Sequence, residues 1–349
     1  MTDFAFARAQ MTASLAFHIL FAVAGMAMPL LMAIAGYRHL KTRDPLYADL
    51  ARRWAKGTAI LFAVGAVSGT VLSFELGLLW PEFMAFAGPM IGLAFSLEGY
   101  AFFLEAIFLG LFLYGEGRLS PRVHWWCGVG VAVTGVASGV LVMAVNAWMH
   151  TPTGFDLAAD GSVINVDPWA AFKAASFPTQ ALHMALAAYA SVSFAVLGIH
   201  AWRLAIDPAS RFHREAARIA LIVAMVSTPL QILSGDLSAK HLAQAQPVKL
   251  AAMEAHFHTE RGASLVIGGW PDASTQTLYG AIKIPYALSI LAHGDPSAEV
   301  KGLEAFPKDE WPTVSVVHIA FQIMVACGTA MLALVGFAGF AWWRRWDVL

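Results

Sequence analysis

Two histidines, a methionine and a glutamate stand in stretches otherwise suited to lipid, and each precedes an arginine by the same interval. His18, Glu98, His183 and Met324 lie twenty residues before Arg38, Arg118, Arg203 and Arg344, each the first Lys or Arg after its partner. Twenty helical residues rise about 30 Å, roughly the thickness of a bilayer's hydrocarbon. If the arginines mark one membrane face, the four side chains share a depth near the other. Imidazole and thioether groups at such a depth can hold a flat, metal-centred cofactor, and a His/Met pair on two helices is a low-spin haem ligation pattern. Polar groups there are penalised and usually functional. The competing reading of each His is a hydrogen-bonded packing residue, and of the Met, core filler. The chain has no HExxH zinc spacing and no CxxCH for covalent haem attachment, so any haem would be held non-covalently.

A second constellation is acidic. Glu98 and Glu105, in SLEGYAFFLEAIF, are seven residues apart and share a helical face, about 10 Å apart in depth. Two carboxylates on one intramembrane face resemble steps of a proton path; the alternative is a pair bonded to Ser or Trp for packing. Ser138 lies where it could hydrogen-bond such a carboxylate, and Glu75 is a weaker addition near the end of its own apolar run. Asn146 and Trp148 close the fourth apolar run at the same face. Lys249 and Glu254, in KLAAMEA, read on their own as solvated charges of an amphipathic turn.

The elements that must position these residues are membrane spans. The chain of 349 residues is 58% hydrophobic and 13% charged, against roughly 25% charged in a soluble domain. Its net charge of −1 leaves no basic footprint for nucleic acid. Cys127 and Cys327 suggest neither a disulfide framework nor a CxxC site. The start, MTDFAFARAQ, lacks the marks of a cleaved signal, so the first apolar run reads as a retained span. Seven spans are expected, near 11–36, 57–80, 91–115, 125–148, 180–202, 216–235 and 313–343. The fold class is all-α, a polytopic transmembrane helix bundle. The first connection carries Arg38, Lys41, Arg43, Arg52, Arg53 and Lys56, the third Arg118 and Arg122, and the fifth Arg203, Arg211, Arg214 and Arg218; the second and fourth are acidic. Positive-inside reasoning puts the N-terminus outside and the C-terminus in the cytoplasm. The sixth connection, 236–310, is long and polar, and lies outside, on the side of the four candidate ligands.

The segments EGYAFFLEAIFLGLFLYG, MAVNAWMHTP, KLAAMEA, IPYALSILA and FQIMVACG closely resemble subunit I of the cytochrome bd-type quinol oxidases, in consistent order from Gln10 onward. The resemblance implies a bacterial plasma (inner) membrane enzyme that oxidises ubiquinol or menaquinol at the outer face and reduces O2 to water. A proton gradient would then form without pumping. It implies a low-spin haem b of the b558 type, a second haem b of the b595 type and a haem d. His18 would be an axial ligand of a high-spin haem, and His183 with Met324 the ligands of the low-spin haem. Glu98, Glu105 and Ser138 would serve the high-spin haems and the proton path, and Lys249 and Glu254 the quinol.

By this resemblance residues 1–235 form a six-helix haem-binding region, 236–310 the external quinol-binding loop (Q-loop), and 311–349 the seventh transmembrane helix. The partners implied are subunit II, with room for a small single-span subunit, and membrane lipid. Two departures stand out. The family continues through two further helices with a GRQPW-like motif and a Glu haem ligand, absent from these 349 residues. Gln322 stands where better-known members carry Arg. The residues alone leave two rivals: a dihaem cytochrome b anchor, and a proton-coupled transporter. Internal repeats and broken spans would mark the transporter, and no repeat is visible.

Overall fold

The computed structural model describes residues 3–344. Seven helices among them are long and apolar enough to cross a membrane. They are α1 (Asp3–Thr42), α2 (Pro45–Leu79), α3 (Pro81–Tyr114), α4 (Pro121–His150), α6 (Phe177–Ile206), α7 (Arg211–Ala245) and α10 (Val314–Trp343). Each covers its expected span to within one residue; α1, α4, α6 and α7 overrun it at both ends, and α2 and α3 at their starts. α7 reaches Ala245, well into the stretch expected to be loop. Its last turns hold polar residues that hydropathy does not count as membrane, although the helical hydrogen bonds continue through them. Proline sets several starts, because its fixed φ and missing N–H suit a first helical turn. Pro45 follows the cap Asp44, whose carboxylate accepts from the Leu46 N–H at 3.0 Å. Pro121 follows the cap Ser120, which accepts from the Val123 N–H at 3.4 Å.

The chain forms two compact units that divide within α7, after Ser227. In the first, α1 and α2 pack antiparallel, as do α3 and α4. A hairpin, β1 (Asp156–Leu157) with β2 (Val163–Ile164), and the short α5 (Ala170–Lys173) fill the connection to α6. One core joins α1, α2, α6 and α7 through Leu31, Met32, Leu50, Trp54, Val196 and Ala220. A second packs Met90 and Ile91 of α3 against Trp148 of α4 and Ala171 of α5. The first, third and fifth interhelical connections meet at one end. Arg211 pairs with Asp44, the Tyr47 hydroxyl donates to Glu215 at 2.8 Å, and Arg52 donates to Glu116 at 2.8 and 2.5 Å.

In the second unit, α8 (Pro247–Met253) and α9 (Ala287–His293) are joined by short antiparallel ladders ahead of α10. β3 (Glu260–Arg261) pairs with β8 (Glu299–Val300), β4 (Leu265–Ile267) with β7 (Ile282–Ile284), and β5 (Trp270–Asp272) with β6 (Thr277–Tyr279). Two small cores hold it, one around Leu303 and Phe257, the other around Leu288 and Leu250.

Glycines on α4 set the α3–α4 spacing, as small residues do at membrane helix contacts. A Cβ on Gly130 would sit 2.7 Å from the Phe108 ring, and one on Gly128 3.0 Å from the Phe112 ring. We expect Gly130→Ala to force the two helices apart and lower stability in detergent by about 1–3 kcal/mol, the usual overpacking penalty. Gly110→Ala, where a Cβ meets nothing within 4 Å, should leave the thermal midpoint unchanged or raise it.

Candidate functional site

His18 is built into the α1–α2 seam. Its Nδ1 lies 2.9 Å from Ser68 Oγ. The Ser68 hydroxyl has Val64 and Gly65 carbonyls at 3.0 Å, and its single proton goes to them. A hydroxyl engaged in this way can accept from His18 Nδ1–H, the tautomer in which Nε2 carries the lone pair. That tautomer is the one that binds a metal through Nε2, with the other nitrogen hydrogen-bonded to hold the ring. Gly69 makes room for the imidazole, since a Cβ there would be 3.1 Å from His18 Cε1. Further along the seam, toward the α1 N-terminus, Glu75 is 5% exposed. It accepts from Gln10 at 3.1 Å and Ser14 at 2.6 Å.

The α3–α4 seam carries the acids. α3 faces α4 with Phe112, Phe108, Glu105 and Glu98 in turn. Ser138 donates to Glu98 Oε1 at 2.9 Å. Glu105 is 5% exposed and packs its carboxylate over Gly135, where a Cβ would come within 3.1 Å of it, and beside Gly25 at 3.8 Å. Glu105 Oε1 has no hydrogen-bond partner among the described residues. His183 is half-buried on α6. The next residue, Met184, meets Met26 over Gly139, so the His183 turn lies by the α4 residue that follows Ser138. Asn146 donates to Gln180 at 2.7 Å, and Trp148, buried, donates to the Thr153 carbonyl at 2.9 Å.

In the second unit, KLAAMEA is a buried helix end rather than a solvated turn. Leu250, Ala251 and Ala252 are buried, and Glu254 is 1% exposed with neither carboxylate oxygen hydrogen-bonded among the described residues. Burial pushes its carboxyl up to about 7 and pulls the half-buried Lys249 ammonium down. Burial thus disfavours the charged form of both groups.

Met324, on α10, is 52% exposed. Two residues before it, Gln322 donates from Nε2 to the Val266 carbonyl at 3.1 Å and accepts at Oε1 from the Gly268 N–H at 3.0 Å. One turn earlier, the wholly buried His318 has the Met253 carbonyl 2.8 Å from Nδ1 and the Gly268 carbonyl 3.2 Å from Nε2. A cleft of about 670 Å³ lies between Trp270, Tyr279, Lys308 and Trp311, but none of the candidate residues lines it.

Among the described residues no cluster of three or more His, Cys, Asp or Glu side chains could hold a bare metal ion. The candidate ligands are single side chains on separate helices, as axial ligands of a porphyrin iron are. With His18 held through Nδ1 at Ser68, the residues fit a haem.

A sequence model of the family described as cytochrome bd terminal oxidase subunit I matches residues 6–349. The chain belongs to that family. It is 39% identical over 346 residues to the putative cytochrome bd menaquinol oxidase subunit I of Bacillus subtilis (strain 168), covering 98% of this chain and 77% of the relative. It is 29% identical over 343 residues to the cytochrome bd ubiquinol oxidase subunit 1 of the same organism, covering 95% of this chain and 73% of the relative. The bd oxidase structure from Geobacillus thermodenitrificans superposes with a TM-score of 0.91 at 38% identity, over 96% of this chain and 77% of that one.

This bd oxidase subunit I is thus an oxidoreductase-family protein integral to the membrane. Sequence reasoning passed over His318 and Ser68. The signal for His318 was its place one turn before Gln322 on an otherwise apolar helix; Ser68 had none beyond its serine in a span.

The Glu254 carboxyl gives a sign to test. Its pKa in the fold is raised to about 7, above the ordinary carboxylate value. The favourable burial is therefore complete below that ordinary value and is lost as pH rises through about 7. We expect the thermal midpoint of the wild type to fall, relative to Glu254→Gln, from about pH 4.5 to pH 7 and to run parallel above that. Curves parallel over that lower range as well would contradict a buried, titrating Glu254.

Proposed function

We propose that this bd oxidase subunit I oxidises quinol, ubiquinol or menaquinol, and reduces O2 to water in a bacterial plasma membrane. The observation that carries the reading is His18, whose Nδ1 lies 2.9 Å from Ser68 Oγ in the α1–α2 seam, a hold that suits ligation through Nε2. His18 would ligate a high-spin haem through that nitrogen, and His183 and Met324 would be the axial donors to the low-spin haem b; a second haem b and a haem d complete the set. When bound, the haems supply electron transfer from quinol to O2. Glu254 receives a quinol hydroxyl proton, for which a buried carboxylate without hydrogen bonds, titrating near 7, is suited. Lys249, five residues earlier and also biased toward neutrality, hydrogen-bonds the second quinol hydroxyl or accepts its proton.

The chain is read with its N-terminus outside. The connections that carry its Arg and Lys clusters meet at one end through Asp44–Arg211 and Arg52–Glu116, and positive-inside bias assigns that end to the cytoplasm. Residues 236–310 are then external, 1–235 is the haem-binding region, and quinol protons leave outward. Protons for water formation enter from inside past Glu105 to Glu98 and Ser138, so charge separates without a pumping step. Subunit II, and a small single-span subunit, are the expected partners, with lipid around them.

The optical spectrum of the reduced, purified protein tests the reading. A red band of haem d supports it, whereas b-type bands alone would point to a dihaem anchor. Met324→Leu keeps the side-chain volume and removes the thioether, so we expect the low-spin signature to become high-spin or shifted with folding retained. An unchanged low-spin spectrum would remove Met324 from the ligand set.

Glu105→Gln keeps the shape and cannot ionise. We expect O2 reduction to fall at least tenfold, about 1.4 kcal/mol in barrier, with haem content and insertion intact. Normal turnover with normal charge separation would eliminate Glu105 from the proton path.

A further inference from the structure

His318 and Gln322 project from one face of α10, one turn apart, and together occupy four main-chain groups of the segment before the helix. His318 sets Nδ1 2.8 Å from the Met253 carbonyl and Nε2 3.2 Å from the Gly268 carbonyl, a neutral imidazole donating to one of the two, and Gln322 takes the Gly268 N–H and the Val266 carbonyl. Met253 is the last residue of α8, and its carbonyl belongs to the peptide that leads into Glu254. Gly268 and Gly269 have φ of +67° and +102°, so the chain turns there in a conformation that side chains disfavour. The turn is thus pinned on both sides of the Gly268 peptide. Gln322 is also suited to its place in a way a cation is not. Its amide donates and accepts at once, whereas an arginine has only donors and would leave the Gly268 N–H without an acceptor.

We propose that His318 and Gln322 are positioning residues for quinol oxidation, fixing the end of α8, with Glu254, and the Val266–Gly269 turn against the helix that carries Met324. Neither touches quinol; both act through the backbone they hold. The inference rests on the reading of Glu254 as the quinol's proton acceptor. It adds that the placement of Glu254 is set from α10, the same helix that presents the candidate haem ligand. The electron-accepting and proton-accepting sides of the reaction are then held by one rigid element of the second unit, through hydrogen bonds rather than through packing alone.

The test uses the haem-loaded oxidase with its partner subunits. Gln322→Leu, Gln322→Arg and His318→Phe are compared with His318→Gln, which keeps one donor. Three quantities are read: KM and kcat with decylubiquinol, O2 uptake driven by tetramethyl-p-phenylenediamine, a small donor that bypasses the quinol loop, and amide hydrogen exchange over residues 262–270. We expect KM for the quinol to rise about tenfold in the first three variants, the scale of one lost buried hydrogen bond. kcat and small-donor turnover should stay within about twofold, exchange at Gly268 should accelerate, and His318→Gln should recover most of the KM. An unchanged KM in variants of a quinol-oxidising enzyme overturns the proposal and leaves the quinol reading standing. An equal loss with both donors also overturns it, by showing damage to the haem core. A wild-type enzyme that accepts electrons from the small donor but never from quinol overturns the reading beneath it, and the proposal with it.

Discussion

Hydrocarbon offers no hydrogen bonds, and a polar side chain placed between membrane helices must find its partner there or lose several kcal/mol. That constraint orders the first unit. His18 has Ser68, Glu98 has Ser138, and Glu75 has Gln10 and Ser14, each partner drawn from the helix packed antiparallel to its own. Glycines supply the space that makes such partnering possible, with Gly69 beneath the His18 ring and Gly135 beneath the Glu105 carboxylate. Each seam therefore does two things with one geometry: it closes the helices and it aims an ionisable group. Glu105 Oε1 and Glu75 Oε2 are the carboxylate exceptions in this unit, buried without a hydrogen-bond partner among the described residues.

The second unit meets a related problem in different material. Its connecting segment is polar, its strands are two or three residues long, and its cores are small. Ladders of that length hold little by themselves. Order comes from two side chains of α10 that bond main-chain groups on either side, and from Leu250 and Ala252 burying the base of the short helix that ends at Glu254. A carboxylate can be hidden at that helix end because the surrounding backbone is held in place, not because a cation neutralises it.

The seven helices were legible because a bilayer demands long apolar windows, and such windows survive any detail of packing. Their ends were not. The last turns of α7 carry Asp236, Lys240 and His241, which read as loop by hydropathy and yet continue the helix, with Lys240 bonded to Asp236 at 2.5 Å one turn away. The acids of α3 were legible as a face because Glu98 and Glu105 are seven residues apart, and the structure turns that face to α4. Glu254 was misjudged on its own residues: an acid beside a lysine in a short amphipathic stretch reads as solvated, and only the tertiary contacts around Leu250 bury it. His318 lay at the mouth of a span, where a histidine usually means an interface, and its two carbonyl partners are 65 and 50 residues away in sequence.

The hold that α10 keeps on the preceding segment is a hold on peptide groups alone. Every residue has a carbonyl, and every residue but proline an N–H, so the anchored stretch can change its side chains without slipping its moorings. Side chains along that stretch can therefore change while His318 and Gln322 still meet the same main-chain groups. A segment tethered in this manner tolerates a change of side chain better than a change of length, since an insertion or deletion would shift which peptides the anchors meet.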